Sequence, residues 1–492
     1  MKPLPPEDSN RLNTEQKRAL LKRLLLEKAA GIGDYALSCG QRALWFVHKM
    51  QPESAAYNVA FTARLLRPLD VHAFELALAR LVERHPALRS TFVETDGDPV
   101  QRVSMAAGGA FRQVGVSDAH ISLRDQVLAE HRRPFDIRQA LFRVVLFRGV
   151  DGSQVLLITL HHLVCDAISV QNLFGDLRHL YERAIHNSVG TLPPLAAQYG
   201  DFVTWQRDLL GGPQAQALSD YWAGVLTPPL PGLEFSDSAR RLHDASRQCG
   251  AIPLAFDREL ISGLREVARA RQATLYMIML AAFQVLLHRY SGQDDLLIVS
   301  PASGRNQPRW LGVIGYFINM LPMRSGLAGN PTFTEHLART RDAVLGALAH
   351  QDFPFPLMIE RLRTRRTTAL PPIQVMFNIV ASLRGSDVSR LFLEEQADDP
   401  GVPFGDTSFL PFPIPQQEDQ FGLVLEALET DGMVRGNLKY SSGGPSPELA
   451  AAMAQDYGSL LARVVANPES CVRDLRLAAM EAEGTVWDVI VL

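Results

Sequence analysis

The most constraining stretch of the sequence is an apolar run from Val155 to Leu160 that leads directly into His161 and His162. Its length and β-branched content predict a fully buried strand. Such a strand holds the residue at its end at a fixed point, and a histidine there titrates near neutral pH. It can therefore accept a proton from an attacking nucleophile. The motif has the form H-H-x-x-x-D-A, and we expect Asp166 to belong to the same turn as His162.

Three interpretations of this motif compete. Satisfied polar side chains at the end of a strand would carry no chemistry. A metal site needs further ligands; His85, His131 and His350 are candidates, but no ligand-like spacing links them. Acyl transfer needs one imidazole at a strand end and no nucleophilic serine or cysteine, and it fits the residues best. Cys165 is the one candidate nucleophile, and its apolar neighbours predict a packed thiol instead.

The length of the chain, 492 residues, predicts more than one core. A stretch rich in glycine and proline after residue 210 marks the predicted lobe boundary. The N-terminal lobe, 34–212, carries the histidine motif, and the C-terminal lobe is 213–478. Residues 1–33 form a lead and 479–492 a tail.

The lead contains a predicted amphipathic helix at residues 13–30. Leucines between positions 20 and 25 form one stripe, among lysines, arginines and a glutamate. Asn13 is a suitable N-cap, and Gly31 ends the helix. This helix is either a linker that packs on the body or a docking element for a partner protein.

Composition excludes several classes of function. A net charge of −4 argues against a nucleic-acid partner. The sequence shows no apolar run long enough to span a membrane and no secretory signal, so we expect a cytoplasmic protein. The four cysteines form no C-x-x-C pair, which predicts reduced thiols. Glycine-rich nucleotide-binding motifs are absent from the sequence.

Further stretches, taken in order with the histidine motif, make the chain similar to a known family. It resembles the condensation domains of nonribosomal peptide synthetases, in the chloramphenicol-acetyltransferase-like superfamily, whose signature is H-H-x-x-x-D-G. The resemblance extends from about Tyr35 to Leu477. The matching stretches are Leu37–Phe46, Arg84–Phe92, Tyr199–Gln206, Ile314–Asn319 and His350–Phe355.

The resemblance implies an α/β fold with two chloramphenicol-acetyltransferase-like lobes arranged in a V around a central active-site tunnel. By position, His162 matches the catalytic histidine and His161 a structural one. Asp166 matches an aspartate that pairs with an arginine in this family, and Arg84 stands at the arginine's position. A buried carboxylate needs such a partner. Ala167 replaces the signature glycine; it keeps the N–H and adds a methyl group.

The resemblance also implies the chemistry. A peptidyl or polyketide acyl chain passes from the phosphopantetheine thioester of an acyl or peptidyl carrier protein to an amine or hydroxyl acceptor, giving an amide or ester. His162 either removes the acceptor's proton or orients the acceptor. A backbone N–H near residues 166–167 is the expected oxyanion donor, with Asn319 as the weaker candidate. The thioester supplies the energy, so we expect no bound cofactor and no metal.

Condensation domains usually lie inside long multimodular chains, and here the adenylation and carrier domains are missing. We therefore expect a free-standing, monomeric enzyme of antibiotic biosynthesis that meets its carrier protein in trans. The stretch Ile318–Pro322 is similar to domains of hybrid polyketide–peptide systems, which favours chain release. Two alternatives stay open: an acyltransferase that uses acyl-coenzyme A or esterifies a polyketide alcohol, and a non-catalytic module that recruits a tailoring enzyme to a carrier protein.

Overall fold

The computed structural model describes residues 31–105, 111–115, 122–188, 192–233, 249–364, 373–381, 387–392, 400–414, 421–441 and 443–477. The predicted helix at 13–30 and the tail at 479–492 lie outside these ranges. The strands are β1 (Gly33–Ala36), β2 (Asn58–Leu65), β3 (Ser90–Thr95), β4 (Asp98–Val103), β5 (Phe111–Gly115), β6 (Phe142–Arg148), β7 (Gln154–His161), β8 (Gly250–Phe256), β9 (Asp295–Ala302), β10 (Asn319–Gly326), β11 (Val375–Ala381), β12 (Val402–Phe404), β13 (Thr407–Pro411), β14 (Leu423–Thr430) and β15 (Met433–Tyr440). The α-helices are α1 (Cys39–Met50), α2 (Val71–Arg84), α3 (Leu123–His131), α4 (Ala167–Ile185), α5 (Tyr199–Leu210), α6 (Gln214–Val225), α7 (Arg258–Ala270), α8 (Leu275–Ser291), α9 (Phe333–Ala349), α10 (Phe355–Thr364) and α11 (Pro447–Ala466).

The chain divides into two compact units that do not follow the sequence in two simple halves. Unit 1 takes its described residues from Met1–Gly212, Ser303–Ile318 and Asp387–Gln417, and unit 2 takes the rest. The sequence prediction of one continuous C-terminal lobe over 213–478 is wrong for 303–318 and 387–417. Strands β12 and β13 extend the sheet of β2, and residues 303–318 bond to helix α4, so both segments belong to unit 1.

The predicted buried strand is confirmed as β7 in unit 1. A six-stranded sheet has the order β12-β13-β2-β7-β6-β5, and β7 is antiparallel to both of its neighbours. All eight residues of β7 are buried. A strand covered on both faces needs an unbroken apolar run, which explains the sequence from Val155 to Leu160. The register places Asn58 opposite His161 at the end of the strand.

Two helices fix the polypeptide where β7 ends. Helix α4 buries Val170, Leu173 and Leu177, at spacings of three and four residues, against the sheet core. Helix α1 begins with a capping box in which Ser38 and Gln41 bond to each other's backbone. The Gln41 side chain also donates to the carbonyl of Leu163 at 2.9 Å. This bond ties α1 to the turn that contains His162.

Unit 2 contains its own six-stranded sheet, in the order β10-β9-β11-β14-β15-β8. Strand β11 is parallel to β9 and β14, and the other pairs are antiparallel. Helix α8 is apolar and is buried along most of its length. Thr274 caps its start, and Gly292 ends it in the left-handed region at φ 70°.

No single helix in the described ranges is both long and apolar enough to cross a bilayer. Helices α7 and α8 together have the necessary length and composition, but they meet at a bend of 99°.

Candidate active site

His162 lies in a short 3-10 turn, His162–Val164, directly after β7. Its Nδ1 lies 2.8 Å from the carbonyl oxygen of Cys165. Because a carbonyl oxygen only accepts, we assign the proton to Nδ1, and in the neutral ring the lone pair is then on Nε2. The backbone N–H of His162 donates to Tyr57 at 2.9 Å. The turn therefore holds the imidazole in the tautomer that a general base requires.

His161 occupies a different environment, inside the core. Its side chain is buried, and its Nδ1 accepts from the backbone N–H of Leu163 at 3.1 Å. The rings of His48, Tyr57 and Phe135 surround it. Burial, followed by the neighbouring histidine charges, lowers the pKa of His161 to about 3. His161 is therefore neutral near pH 7 and acts in the structure as a brace for the turn.

Asp166 is the N-cap of helix α4 and is buried. Its Oδ1 accepts from the backbone N–H of Ser169 at 2.7 Å, and its Oδ2 from that of Phe317 at 3.1 Å. Nη2 of Arg305 lies 2.9 Å from Oδ1 and 3.1 Å from Oδ2. The side chains of Asp166 and Arg305 are 3% and 1% exposed. Asp166 therefore joins a helix start to a segment more than 130 residues away.

The predicted pairing of Asp166 with Arg84 is wrong. Nε of Arg84 lies 2.8 Å from Oδ2 of Asp176, and its Nη1 donates to the carbonyl of Pro193. Asp176 follows Asp166 by ten residues in the same helix. At about 1.5 Å per residue this separation is roughly 15 Å. A guanidinium bonded to Asp176 cannot reach Asp166 over such a distance.

The environment of Asp176 is a second polar cluster on α4. Nε2 of His85 lies 2.9 Å from the same carboxylate oxygen that Arg84 contacts. Burial raises the pKa of Asp176, but the bonds from His85 and Arg84 outweigh it and hold this pKa below its usual value. Burial lowers the pKa of His85. A neutral His85 satisfies the contact by donating from Nε2.

Arg305 is a residue of the site's scaffold that the sequence analysis missed. Its Nη1 donates to the carbonyls of Trp310 and Val313 at 2.6 and 2.7 Å, and its guanidinium lies 4.0 Å from the ring centre of Phe317. The segment 303–318 is thus closed around one buried cation. Gly304 precedes it at φ +64°, where a side chain would overlap the Phe317 carbonyl. Because this backbone conformation cannot be read from the sequence, no sequence pattern singled out Arg305.

The predicted stretches around residues 199 and 314 meet in the same network. Oγ of Ser169 accepts from the N–H of Gly315 at 3.0 Å and donates to its carbonyl at 2.9 Å. The hydroxyl of Tyr199 lies 2.7 Å from the carbonyl of Tyr316 and 2.9 Å from Oγ of Ser38. A side chain at Gly315 would overlap the ring of Tyr199. Four separate sequence motifs therefore converge within unit 1.

Ala167 is the first residue of α4, and its side chain is exposed. The first N–H groups of a helix have no acceptor within the helix. The helix dipole also places partial positive charge at this end. The N–H groups of residues 167 and 168 therefore suit a developing anion, and the exposed methyl group that replaces the signature glycine needs no space in the core.

Asn319 does not support the predicted oxyanion contact. Its Nδ2 donates to the carbonyls of Gln351 and Phe353 at 2.8 and 2.7 Å. Its Oδ1 accepts from the N–H of Phe355 at 2.8 Å. Because both amide hydrogens are used inside unit 2, the side chain has the geometry of a brace for the turn before α10.

The alternatives of a cysteine nucleophile and a metal site receive no support. Cys165 is fully buried, and burial raises the pKa of its thiol well above the usual value. Among the described residues, no group of three or more His, Cys, Asp or Glu side chains is placed to hold a metal ion. His131 is buried, and His350 stacks on Tyr221 with ring centres 3.8 Å apart.

Comparison with known proteins identifies the relatives of this chain. The family model described as Condensation domain matches residues 32–483. A linear gramicidin synthase polypeptide of Brevibacillus parabrevis is 32% identical over 454 residues, which cover 90% of this chain and 6% of that protein. Malpinin synthetase of Mortierella alpina is 33% identical over 414 residues, which cover 83% and 5%. The chain thus spans less than a tenth of the length of these two curated relatives.

Solved structures show the same fold. The X-domain from teicoplanin biosynthesis has a TM-score of 0.75 at 24% identity, and the match covers 90% of this chain and 97% of that one. The condensation domain from Monacolin K polyketide synthase MokA gives 0.74 at 22%, covering 90% and 99%. SgcC5 from Streptomyces globisporus gives 0.65 at 27%, covering 85% and 94%. The predicted α/β, chloramphenicol-acetyltransferase-like fold is confirmed.

Proposed function

Because the chain belongs to the condensation-domain family of nonribosomal peptide synthetases, whose members form amide bonds, we propose that His162 serves such a reaction here. An acyl chain passes from the phosphopantetheine thioester of a partner carrier protein to an amine. The observation that carries this proposal is the bond from Nδ1 of His162 to the Cys165 carbonyl. It leaves the basic lone pair on Nε2, at the end of a strand whose residues are all buried in the core.

The reaction needs one proton relay. The acceptor nitrogen attacks the thioester carbonyl, and a carbon–nitrogen bond forms as the carbon–sulfur bond breaks. Nε2 of His162 takes the proton of the amine, or orients the amine by accepting a hydrogen bond from it. The departing thiolate leaves on the partner's phosphopantetheine and is protonated. The products are an amide and a thiol, with no oxidant and no nucleotide consumed.

Stabilisation of the oxyanion comes from the start of α4. The N–H groups in its first turn, at residues 167 and 168, are the donors in this proposal. Asp166 fixes this turn by capping it, and Arg305 fixes Asp166. The ion pair therefore belongs to the scaffold of the site and takes no part in proton transfer.

A hydroxyl acceptor is the second candidate. SgcC5, which is 27% identical, was solved in a complex with a naphthyl-substituted 1,2-ethanediol. The position of Nε2 suits a hydroxyl acceptor as well as an amine, because either group can give its proton to the same imidazole nitrogen. An ester and a chain-releasing role would follow from such an acceptor. The acyl donor in either case is a peptidyl or polyketide chain, and the helix predicted at 13–30 is the proposed docking element for its carrier protein.

The test is a transfer assay read by intact-protein mass spectrometry. The probes are an acyl carrier protein loaded with octanoyl-phosphopantetheine and a peptidyl carrier protein loaded with phenylalanine, offered with amino-acid amides and 1,2-diols. We expect His162→Ala to lower the rate of acyl transfer from the carrier protein to the acceptor by about 100-fold or more. His72→Ala is the matched control, because His72 is exposed on helix α2, and it should retain the parent rate.

Each competing function gives a different result in this assay. Full transfer by His162→Ala would refute the proposed role of the histidine. Turnover of octanoyl-coenzyme A without any carrier protein would favour the soluble acyltransferase. Carrier binding with no transfer to any acceptor would favour a recruitment module.

A further inference from the structure

Tyr316 packs against the imidazole of His162. The two ring centres are 5.5 Å apart and the ring planes meet at 82°, an edge-to-face arrangement that aromatic pairs favour. His162 has one rotatable bond between its ring and Cβ and one between Cβ and Cα. The bond to the Cys165 carbonyl restrains one edge of the ring, and Tyr316 limits the space into which the rest can turn.

Helix α1 leaves room for this tyrosine at one glycine. A Cβ atom at Gly40 would lie 2.7 Å from Cε1 and 3.1 Å from Cδ1 of Tyr316. Real Cβ atoms do not approach ring carbons so closely, so any side chain at residue 40 would displace the ring. The ring of Tyr316 thus lies in a slot with α1 on one side and His162 on another.

The backbone that carries Tyr316 is held at three consecutive residues. Its carbonyl accepts from Tyr199 at 2.7 Å. The N–H of Gly315 and the N–H of Phe317 donate to side chains in the first turn of α4. Such a backbone cannot shift independently of α4, so the tyrosine ring keeps its place against the histidine.

We propose that Tyr316 is a positioning residue that keeps the ring of His162 in its productive orientation, an inference that rests on the proposed function of His162. The aromatic ring of Tyr316 restrains the imidazole, and the Tyr316 hydroxyl is not needed for this restraint. Burial raises the pKa of Tyr316, so the phenol stays protonated and does not compete with the imidazole as a base. The Asp166–Arg305 pair does not contact His162. By fixing the backbone that carries Tyr316, it helps to hold the imidazole in place.

The first experiment compares Tyr316→Ala with Tyr316→Phe in the carrier-protein assay. Tyr316→Ala should lower kcat about tenfold or more, because the imidazole can then leave its orientation, while KM for the loaded carrier changes less than about threefold. Tyr316→Phe should keep kcat within about threefold of the parent. Carbethoxylation of His162 by diethylpyrocarbonate, followed by peptide mass spectrometry, should accelerate in the alanine variant and not in the phenylalanine variant.

The second experiment uses the glycine slot as a double-mutant cycle. Gly40→Ala should lower kcat in the parent, because its methyl group displaces the Tyr316 ring. It should have no further effect in Tyr316→Ala, where the ring is gone. Gly175→Ala is the matched control: Gly175 is an exposed helical glycine on α4 with no atom near the place of a Cβ. It should leave kcat unchanged in both backgrounds.

Several results would overturn the inference. One is a Tyr316→Ala protein that melts like the parent and keeps its kcat and its carbethoxylation rate. Another is a Tyr316→Phe variant that loses as much activity as Tyr316→Ala, since the hydroxyl would then be the acting group. If Tyr316→Ala does not fold, the Gly40→Ala variant provides the test. A Gly40→Ala protein with the kcat and the His162 carbethoxylation rate of the parent would refute the positioning role. A fully active His162→Ala variant would refute the proposed function. The carbethoxylation rates of the Tyr316 variants, which retain His162, would still test the contact between the two rings.

Discussion

Two aspartates on helix α4 show how one helix uses the same side chain in two ways. Asp166 caps the first turn, and its ion pair with Arg305 is 3% and 1% exposed. Asp176 lies further along, and its pair with Arg84 is 21% and 18% exposed. Arg305 comes from a segment distant in the sequence, whereas Arg84 ends the helix that packs beside α4.

The difference lies in what each carboxylate would lose without its cation. A buried carboxylate has given up its hydration, and Asp166 replaces it with Arg305 and two backbone N–H groups. Asp176 keeps some contact with water and has a spare partner in His85. The buried pair therefore determines where residues 303–318 lie, and the partly exposed pair acts as a local tie between two helices.

The largest expected effect comes from breaking the buried pair. Arg305→Met should lower the stability of the protein by about 3–5 kcal/mol, because it leaves an uncompensated charge in the core. In thermal unfolding this corresponds to a decrease of about 3–5 °C in Tm for a chain of this size. The double variant Asp166→Asn with Arg305→Met should recover part of the loss, since asparagine still caps α4 without a charge.

Arg309→Met is the matched control for this prediction. Arg309 lies in the same segment and stacks on Trp310, but it is exposed. Its replacement should change stability by no more than about 0.5 kcal/mol. Equal losses for the two arginines would show that burial does not distinguish them.

A smaller effect is expected at the second pair. Arg84→Ala should cost about 1 kcal/mol, because Asp176 keeps its bond to His85 and some hydration. Urea unfolding measures the loss as a lowered midpoint with an unchanged slope. Arg80→Ala, on the exposed face of the same helix, should leave the midpoint where it is. A loss as large as that of Arg305→Met would contradict the assignment of Arg84 to a local tie.

The smallest effect is a pH dependence that belongs to the second pair alone. The charge of Arg84 lowers the pKa of His85, after the larger effect of burial. Its removal lets folded His85 take a proton at higher pH, so the folded variant binds more protons near pH 6 than the parent. By linkage, the variant then loses less stability than the parent as the pH falls.

The cost of Arg84→Ala should therefore be smaller at pH 5.5 than at pH 8, by less than about 1 kcal/mol. Urea midpoints of parent and variant at both pH values measure this difference. The cost of Arg305→Met should not shift through His85, because that pair does not contact it. An Arg84→Ala cost that is the same at both pH values would exclude His85 as the spare partner.

A local pattern in the sequence predicted the strand that leads to the site. Strand β7 followed from an unbroken apolar run. This prediction held because burial on both faces of a strand leaves a continuous apolar run within a few residues. The division at residues 303–318 and 387–417 left no such trace, because it depends on which sheet a returning segment joins.

The sequence by itself determined that a buried strand ends in His161 and His162, that Asp166 follows close behind, and that the chain belongs among condensation domains. The tertiary structure alone decided which arginine meets Asp166. Arg84 and Arg305 are both charged and both distant from Asp166 in the sequence, and nothing in the residue type distinguishes them. Their positions along α4 distinguish them. Arg84 contacts α4 about three turns after the N-cap, whereas Arg305 contacts the N-cap residue itself.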